Sequence, residues 1–365
     1  MPKPVSTDRM LLGITLILTV FGVIMVGSAS SYYSLNRTGM SGSFHFLLRQ
    51  IFYAGVGLFL MYRLIRTDYH IFARRRVALG LVGTAFVLLL LVFLFEERNG
   101  THRWLHFGVF SVQPSEIAKF ALAVFLAYMA QRKGEEINAT AVGTIPCFGV
   151  AGFIAGLVLI EPDMGTAVVL LLVTTLVLFA AGLRGRYVMA AAGLAVVGLP
   201  IMIFMAPYRA QRLLAFLHPE QDLQGPNFQL FQSKVALGSG GLLGSGLAMG
   251  QQKYLFLPES HTDFIFSVIG EEIGLLGTMV TLGLFLFFLW RGVRVSMRAP
   301  DRFGTYLALG LTLFVACQAF INMAVATGLL PTKGLPLPFV SYGGSSLIVS
   351  LGMTGVLLNV SQQAG

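Results

Sequence analysis

Apolar runs of about 18 or more residues follow one another along this chain, and that repetition leaves few folds open. A helix needs roughly 20 apolar residues to cross the hydrocarbon of a bilayer, whereas a tilted strand needs about 9–11. No water is available there to satisfy the backbone, so only helices and closed barrels cross. The runs are too long and too continuously apolar for the alternating strands of a barrel. Composition agrees, with 56% hydrophobic and 11% charged residues against about 25% charged in a soluble domain. The expected fold is all-α: one integral membrane domain over 1–365 with about ten transmembrane helices. The spans are expected near 10–30, 47–65, 77–95, 114–131, 141–160, 166–182, 188–207, 266–290, 304–326 and 345–360. A large loop, 208–262, separates the seventh and eighth. The first run follows Lys3 and Arg9 as a signal peptide would, but it exceeds the usual apolar length of about 7–15 residues and reads as a retained span. Cys147 and Cys317 fall inside spans, which implies neither a disulfide framework nor a metal motif.

Charge sets the expected orientation. Fifteen of the 25 Lys and Arg residues fall in alternate connecting segments, among them Arg74–Arg76, Arg132, Lys133, Arg184, Arg186, Arg291 and Arg294. That side should be cytoplasmic and carry both termini. The net charge of +9 is therefore an orientation signal and a contact for anionic lipid headgroups, not a nucleic-acid footprint. The polar motifs at 96–119, 161–166, 208–263 and 331–346 all fall on the opposite, outer side.

Among these, Asp263 carries the most information. It stands in Ser260-His261-Thr262-Asp263, just before an apolar run, and a carboxylate at such an edge is costly unless it has a partner or a task. With its pKa raised by apolar surroundings it would serve as a general base. The plainer reading is a helix cap. Glu271 and Glu272, further along the same span, read as structural partners.

Other motifs supply cations and carboxylates. Glu116 and Lys119 follow Pro114 at a helix start, three residues apart on one face. They read as a local ion pair, or as a substrate contact in which a desolvated ammonium anchors phosphate. Arg103 lies in the preceding motif. Glu161 and Asp163 share a short turn, as a helix cap, as partners of Lys119, or as ligands of a divalent cation such as Mg or Mn. Arg209 and Arg212 are spaced to grip phosphate. Residues 228–237 have mixed faces and could lie on the membrane surface. Gly238–Gly246 exposes amides able to hold an anion, but lacks the Lys-Ser/Thr ending of a phosphate-binding loop. Lys333 and Ser341 belong to the proline-rich stretch Pro331–Ser346, which offers either a rigid loop or substrate contacts, with helix N-terminal amides at its end.

Taken in order and spacing, Asn99–Trp104, Gln113–Lys119, Glu161–Thr166, Arg212–Pro219, Gly238–Gly250, Pro258–Glu272 and Pro331–Ser346 resemble the SEDS family (shape, elongation, division and sporulation) over essentially the whole chain. The resemblance implies a ten-helix glycosyltransferase that polymerises lipid II into peptidoglycan at the outer face of the cytoplasmic membrane. It implies Asp263 as the essential aspartate, with Glu116, Lys119 and Asp163 at the family's other charged positions. Arg103, Arg209, Arg212, His261, Lys333 and Ser341 are the remaining candidates for binding substrate. The implied partners are a class B penicillin-binding protein, an FtsI-type transpeptidase, and other division proteins. Pro331–Phe339 looks like the division branch, whereas elongation members often lack the lysine; Glu161 stands where many members have Gln. Two other classes are weighed. A transporter or lipid flippase needs charges reaching through the membrane, and here they cluster near one face. A scaffold has no need of Asp263 or Lys119.

Overall fold

The computed structural model describes residues 7–38, 45–95, 101–107, 110–138, 143–217, 227–252, 257 and 260–364. Asn99, Gly100, Pro258, Glu259 and the 218–226 part of the large loop lie outside them. Seven helices come first: α1 (Arg9–Thr38), α2 (His45–Ile65), α3 (Arg75–Leu91), α4 (Pro114–Lys133), α5 (Ile145–Ile160), α6 (Met164–Ala180) and α7 (Gly185–Phe204). The large loop carries α8 (Pro207–Leu217) and α9 (Phe228–Ser239), and α10 (Ile265–Arg298), α11 (Arg302–Ala326) and α12 (Gly344–Gln363) complete the chain. Leaving aside α8 and α9, the ten long helices among the described residues fall on the ten expected spans to within a few residues at most ends; α1 and α10 run on past them, to Thr38 and Arg298. Among the described residues seven helices are long and apolar enough to cross a bilayer by themselves, while α5 and α6 are apolar but shorter. The chain is a polytopic membrane protein.

Helix α4 forms the core. Pro114 occupies its first turn, Glu116 follows, and Arg132 and Lys133 close its last turn, each placed as the helix dipole favours. It is buried along most of its length and packs against α3, α6 and α11. Helix α12 is also largely buried and lies against α2 and α11. By contrast, α7 has no buried residue.

Two segments of the large loop differ from the sequence reading. Helix α9, expected on the membrane surface, instead packs into α10 and α11. Leu230, Ser233 and Ala236 are buried, and the Ser233 hydroxyl lies 2.5 Å from that of Ser267 and donates to the Ala326 carbonyl at 2.7 Å. Small residues let the helices approach closely enough for these bonds. The glycine-rich turn after α9 is laid into a bend of α10 at Gly274, where φ is +76°. A β-carbon on Gly274 would stand 2.4 Å from the Gly244 nitrogen, so both the backbone and the contact demand glycine. The amides that meet anions lie past Gly238–Gly246, and the anions are internal carboxylates. Gln251 and Gln252 donate to Glu271 Oε1 at 2.6 and 3.1 Å, and Ala248 donates to Glu272 Oε2 at 3.1 Å. Glu272 also accepts from Ser28 of α1.

One departure from an all-helical chain is a short hairpin, β1 (Leu105–Phe107) with β2 (Phe110–Val112). Ser345 at the start of α12 pins it, donating to the Ser111 carbonyl and accepting from the Gln113 amide, both at 3.0 Å.

Candidate active site

The polar motifs meet at the end of the bundle that bears the hairpin. A strap, residues 331–343, joins α11 to α12 and contains Pro331, Pro336 and Pro338, which keep residues 331–337 out of a helix before a turn at 338–340. Side chains of α11 hold it from below. Gln318 Nε2 donates to the Pro336 carbonyl at 2.8 Å, and Asn322 Nδ2 donates to that of Leu335 at 2.7 Å. The turn before α10 is tied to the same strap. Ser341 Oγ donates to the Thr262 carbonyl at 2.5 Å, and the Tyr342 amide donates to that of His261 at 2.9 Å. Asn322 Nδ2 also donates to the Asp263 carbonyl at 2.8 Å.

Asp263 thus stands on a fixed backbone, half-buried, one residue before Phe264, the N-cap of α10, which makes no side-chain capping bond. Its carboxylate faces Gly334. A β-carbon on Gly334 would lie 3.2 Å from Asp263 Oδ2 and 3.7 Å from Arg103 Nη1. The carboxylate and the guanidinium therefore approach one another across a residue with no side chain.

Beyond Gly334 opens a cleft lined by Arg103, Asp163, Arg209, Arg212 and Lys333. Arg209 and Arg212 come from α8. Arg103 Nε donates to the Glu161 carbonyl at 3.0 Å, and Nη2 donates to that of Pro162. Arg209 donates to the carbonyls of Leu159 and Met202. Burial lowers the Lys333 pKa; Asp163 opposes the shift and Arg209 adds to it. The one carboxylate of the lining is engaged in capping α6: Asp163 Oδ1 accepts from the Thr166 amide at 3.0 Å, and Oδ2 accepts from its hydroxyl at 2.8 Å. Four cations against one occupied carboxylate suit a ligand with more than one negative charge.

Several candidates are buried away from the cleft. Lys119 and Glu116 are each 2% exposed and ion-paired at 2.7 Å. Lys119 Nζ also donates to Gln318 Oε1, which sets it under the strap as a support. The apolar packing of α4 against α11 encloses this pair, and sequence spacing alone could not reveal that. His261 is 6% exposed and packs its ring between Phe46 and Tyr342. Ser341 is 3% exposed, and its hydroxyl joins strap to turn. These four hold the framework, whereas Arg103, Arg209, Arg212 and Lys333 line the open space. No group of three or more His, Cys, Asp or Glu converges as a metal site among the described residues.

Glu161 is fully buried, and neither carboxyl oxygen has a hydrogen-bond partner among the described residues. Burial pushes its pKa up to about 8, with Asp163 pushing the same way and Arg103 opposing. At neutral pH it is a neutral acid, close in shape and charge to Gln. A carboxyl with a raised pKa in the fold supports stability below its ordinary pKa, and that support is lost as pH rises through the folded value. The melting temperature should therefore decline from about pH 4.5 to about 8, and Glu161→Gln should remove that part of the decline. An unchanged pH slope in the variant would contradict the assignment.

Gln318 and Asn322 did not stand out in the sequence. The available signal was two amides one turn apart within an apolar span, where buried polar groups need partners.

A family model described as cell cycle protein, covering FtsW, RodA and SpoVE, matches residues 8–365. A probable peptidoglycan glycosyltransferase FtsW from Geobacter sp. (strain M18) is 44% identical over 357 residues, 97% of this chain and 96% of the relative. Stage V sporulation protein E from Bacillus subtilis (strain 168) is 39% identical over 363 residues, 99% and 98% of the two chains. Among solved structures, a chain of a peptidoglycan synthase complex that coordinates polymerization and crosslinking matches with a TM-score of 0.79 at 28% identity, covering 98% of each chain. The rod shape determining protein RodA of Thermus thermophilus matches with a TM-score of 0.68 at 26% identity, again over 98% of each. Sequence and fold agree along nearly the full length, and the chain belongs to the FtsW/RodA/SpoVE family of cell cycle proteins.

Proposed function

We propose that this protein is a peptidoglycan glycosyltransferase of the division type, joining lipid II molecules into glycan strands. The observation that carries the reading is the Asp263 carboxylate set across Gly334 from a cleft with four cations. A sugar hydroxyl of one lipid II attacks the anomeric carbon of another. Asp263 takes the hydroxyl proton as the new glycosidic bond forms. The bond from the anomeric carbon to the pyrophosphate breaks, and undecaprenyl pyrophosphate leaves. Arg103, Arg209, Arg212 and Lys333 meet the charge that develops on it, the first two held beforehand by backbone carbonyls. Glu116, Lys119, His261 and Ser341 support this arrangement by holding strap and turn. The relatives named FtsW and the Pro331–Phe339 stretch favour division over elongation.

The partner we infer is a single-span class B penicillin-binding transpeptidase, which would cross-link the new strands. The orientation we infer puts both termini in the cytoplasm and the cleft outside. Gln211, exposed on α8 of the large loop, tests the orientation. A cysteine there, with Cys147 and Cys317 replaced, should react with an impermeant reagent in intact spheroplasts; reaction only after permeabilisation would reverse the topology. For the activity, purified protein in vesicles with labelled lipid II should yield long strands. Movement of lipid II between leaflets without strands would establish a flippase, and neither activity would leave a scaffold.

A further inference from the structure

We propose that Asn322 is a positioning residue for the reaction at Asp263, a role that rests on the base assignment above. Asn322 is 2% exposed. Its Nδ2 donates to two carbonyls on different segments, Asp263 at 2.8 Å and Leu335 at 2.7 Å. The first belongs to the turn that carries the base. The second belongs to the strap that carries Lys333 and Gly334. One amide thereby ties the backbone of the proton acceptor itself to the strap, beside the bonds that Ser341 and Tyr342 make to the two preceding residues.

The geometry is specific to this residue. Gln318, one turn earlier on α11, donates to the strap at Pro336 and accepts from Lys119. Asn322 bonds both the strap and the Asp263 backbone. Its Oδ1 has no partner there, so the two donor bonds alone define the orientation of the amide. The platform is rigid: α11 is buried along most of its length and capped by Asp301, which accepts from the amides of Phe303 and Gly304. A satisfied polar group in a span needs one partner. This one joins the two halves of the site.

The test uses the full chain in lipid nanodiscs with labelled lipid II. Asn322→Leu keeps the branching and the number of side-chain heavy atoms, at a somewhat larger volume, and removes both donors. Since a misplacement of about 1 Å can cost ~10²-fold in rate, kcat should fall by about that factor while KM changes little. The acid limb of the pH–rate profile, which reports the base, should also move, because the carboxylate settles into new surroundings. A loss of folded protein lowers the plateau but leaves that limb in place. Asn322→Ser, smaller and with a single donor, is the second variant should the leucine protein fold poorly; its kcat should fall at least about tenfold. Normal kcat in a folded Asn322 variant, beside an inactive Asp263→Asn protein, overturns the positioning role alone. So does a loss in proportion to the folded fraction with the acid limb unmoved. A fully active Asp263→Asn protein removes the base assignment itself and the positioning role with it.

Discussion

Asp263→Asn should abolish strand formation in a protein that still folds and still holds lipid II. The substitution keeps the shape of the side chain and its backbone bond to Asn322 but removes almost all basicity. General-base assistance is worth about 10²–10⁴-fold, enough to bring a processive polymerase below detection. Asp263→Glu should retain little activity. Its extra methylene carries the carboxylate about 1 Å, a displacement that can cost ~10²-fold, into a space bounded by Gly334 and Arg103. The competing role is a helix cap, in which Asn serves as well as Asp. Phe264 is the N-cap of α10, which weighs against it. Rescue of Asp263→Asn by raised Mg²⁺ or Mn²⁺ would instead point to metal binding.

Lys119→Met should damage the fold before it damages the chemistry. Lys119 is paired with Glu116 at 2.7 Å, each 2% exposed, and it also donates to Gln318. Removing one member of a buried pair leaves an uncompensated charge and typically costs about 3–5 kcal/mol. The variant should therefore melt well below the wild type and lose activity as the strap loosens at Pro336. Adding Glu116→Gln removes the stranded charge and should recover much of the stability, since a buried pair replaced as a unit is often close to neutral. Thermal unfolding in detergent reads both effects. A single variant that melts like the wild type yet binds lipid II poorly would return Lys119 to the substrate site.

The spans were legible because bilayer thickness imposes one length on every crossing helix. The position of Asp263 was legible because a carboxylate beside an apolar run stands out. Arg209 and Arg212 were legible as a pair by their spacing, and α8 places both on the cleft. What the sequence withheld was enclosure. Lys119 and Arg103 are both cations in polar motifs, yet one is enclosed between α4 and α11 and the other lines the cleft. Lys119 falls inside the expected span 114–131 and Arg103 before it, but whether either is enclosed or left open is decided by packing among distant helices. The glycine-rich turn shows the same limit. Its own amides at Ser245 and Gly246 donate to the backbone carbonyls of Glu271 and Glu272, and the two carboxylates are held by Ala248, Gln251 and Gln252 just beyond it. Asn322 escaped notice because an amide in a span has no motif of its own and shows its role only through the two carbonyls it joins.

The central claim is that the carboxylate at 263 performs chemistry that the cationic cleft alone does not. The most direct measurement follows labelled lipid II with purified wild-type and Asp263→Asn proteins, recording bound lipid and strand length on the same samples. The account predicts equal binding, long strands from the wild type and unreacted lipid II from the variant. Strands made by Asp263→Asn at the wild-type rate would contradict it.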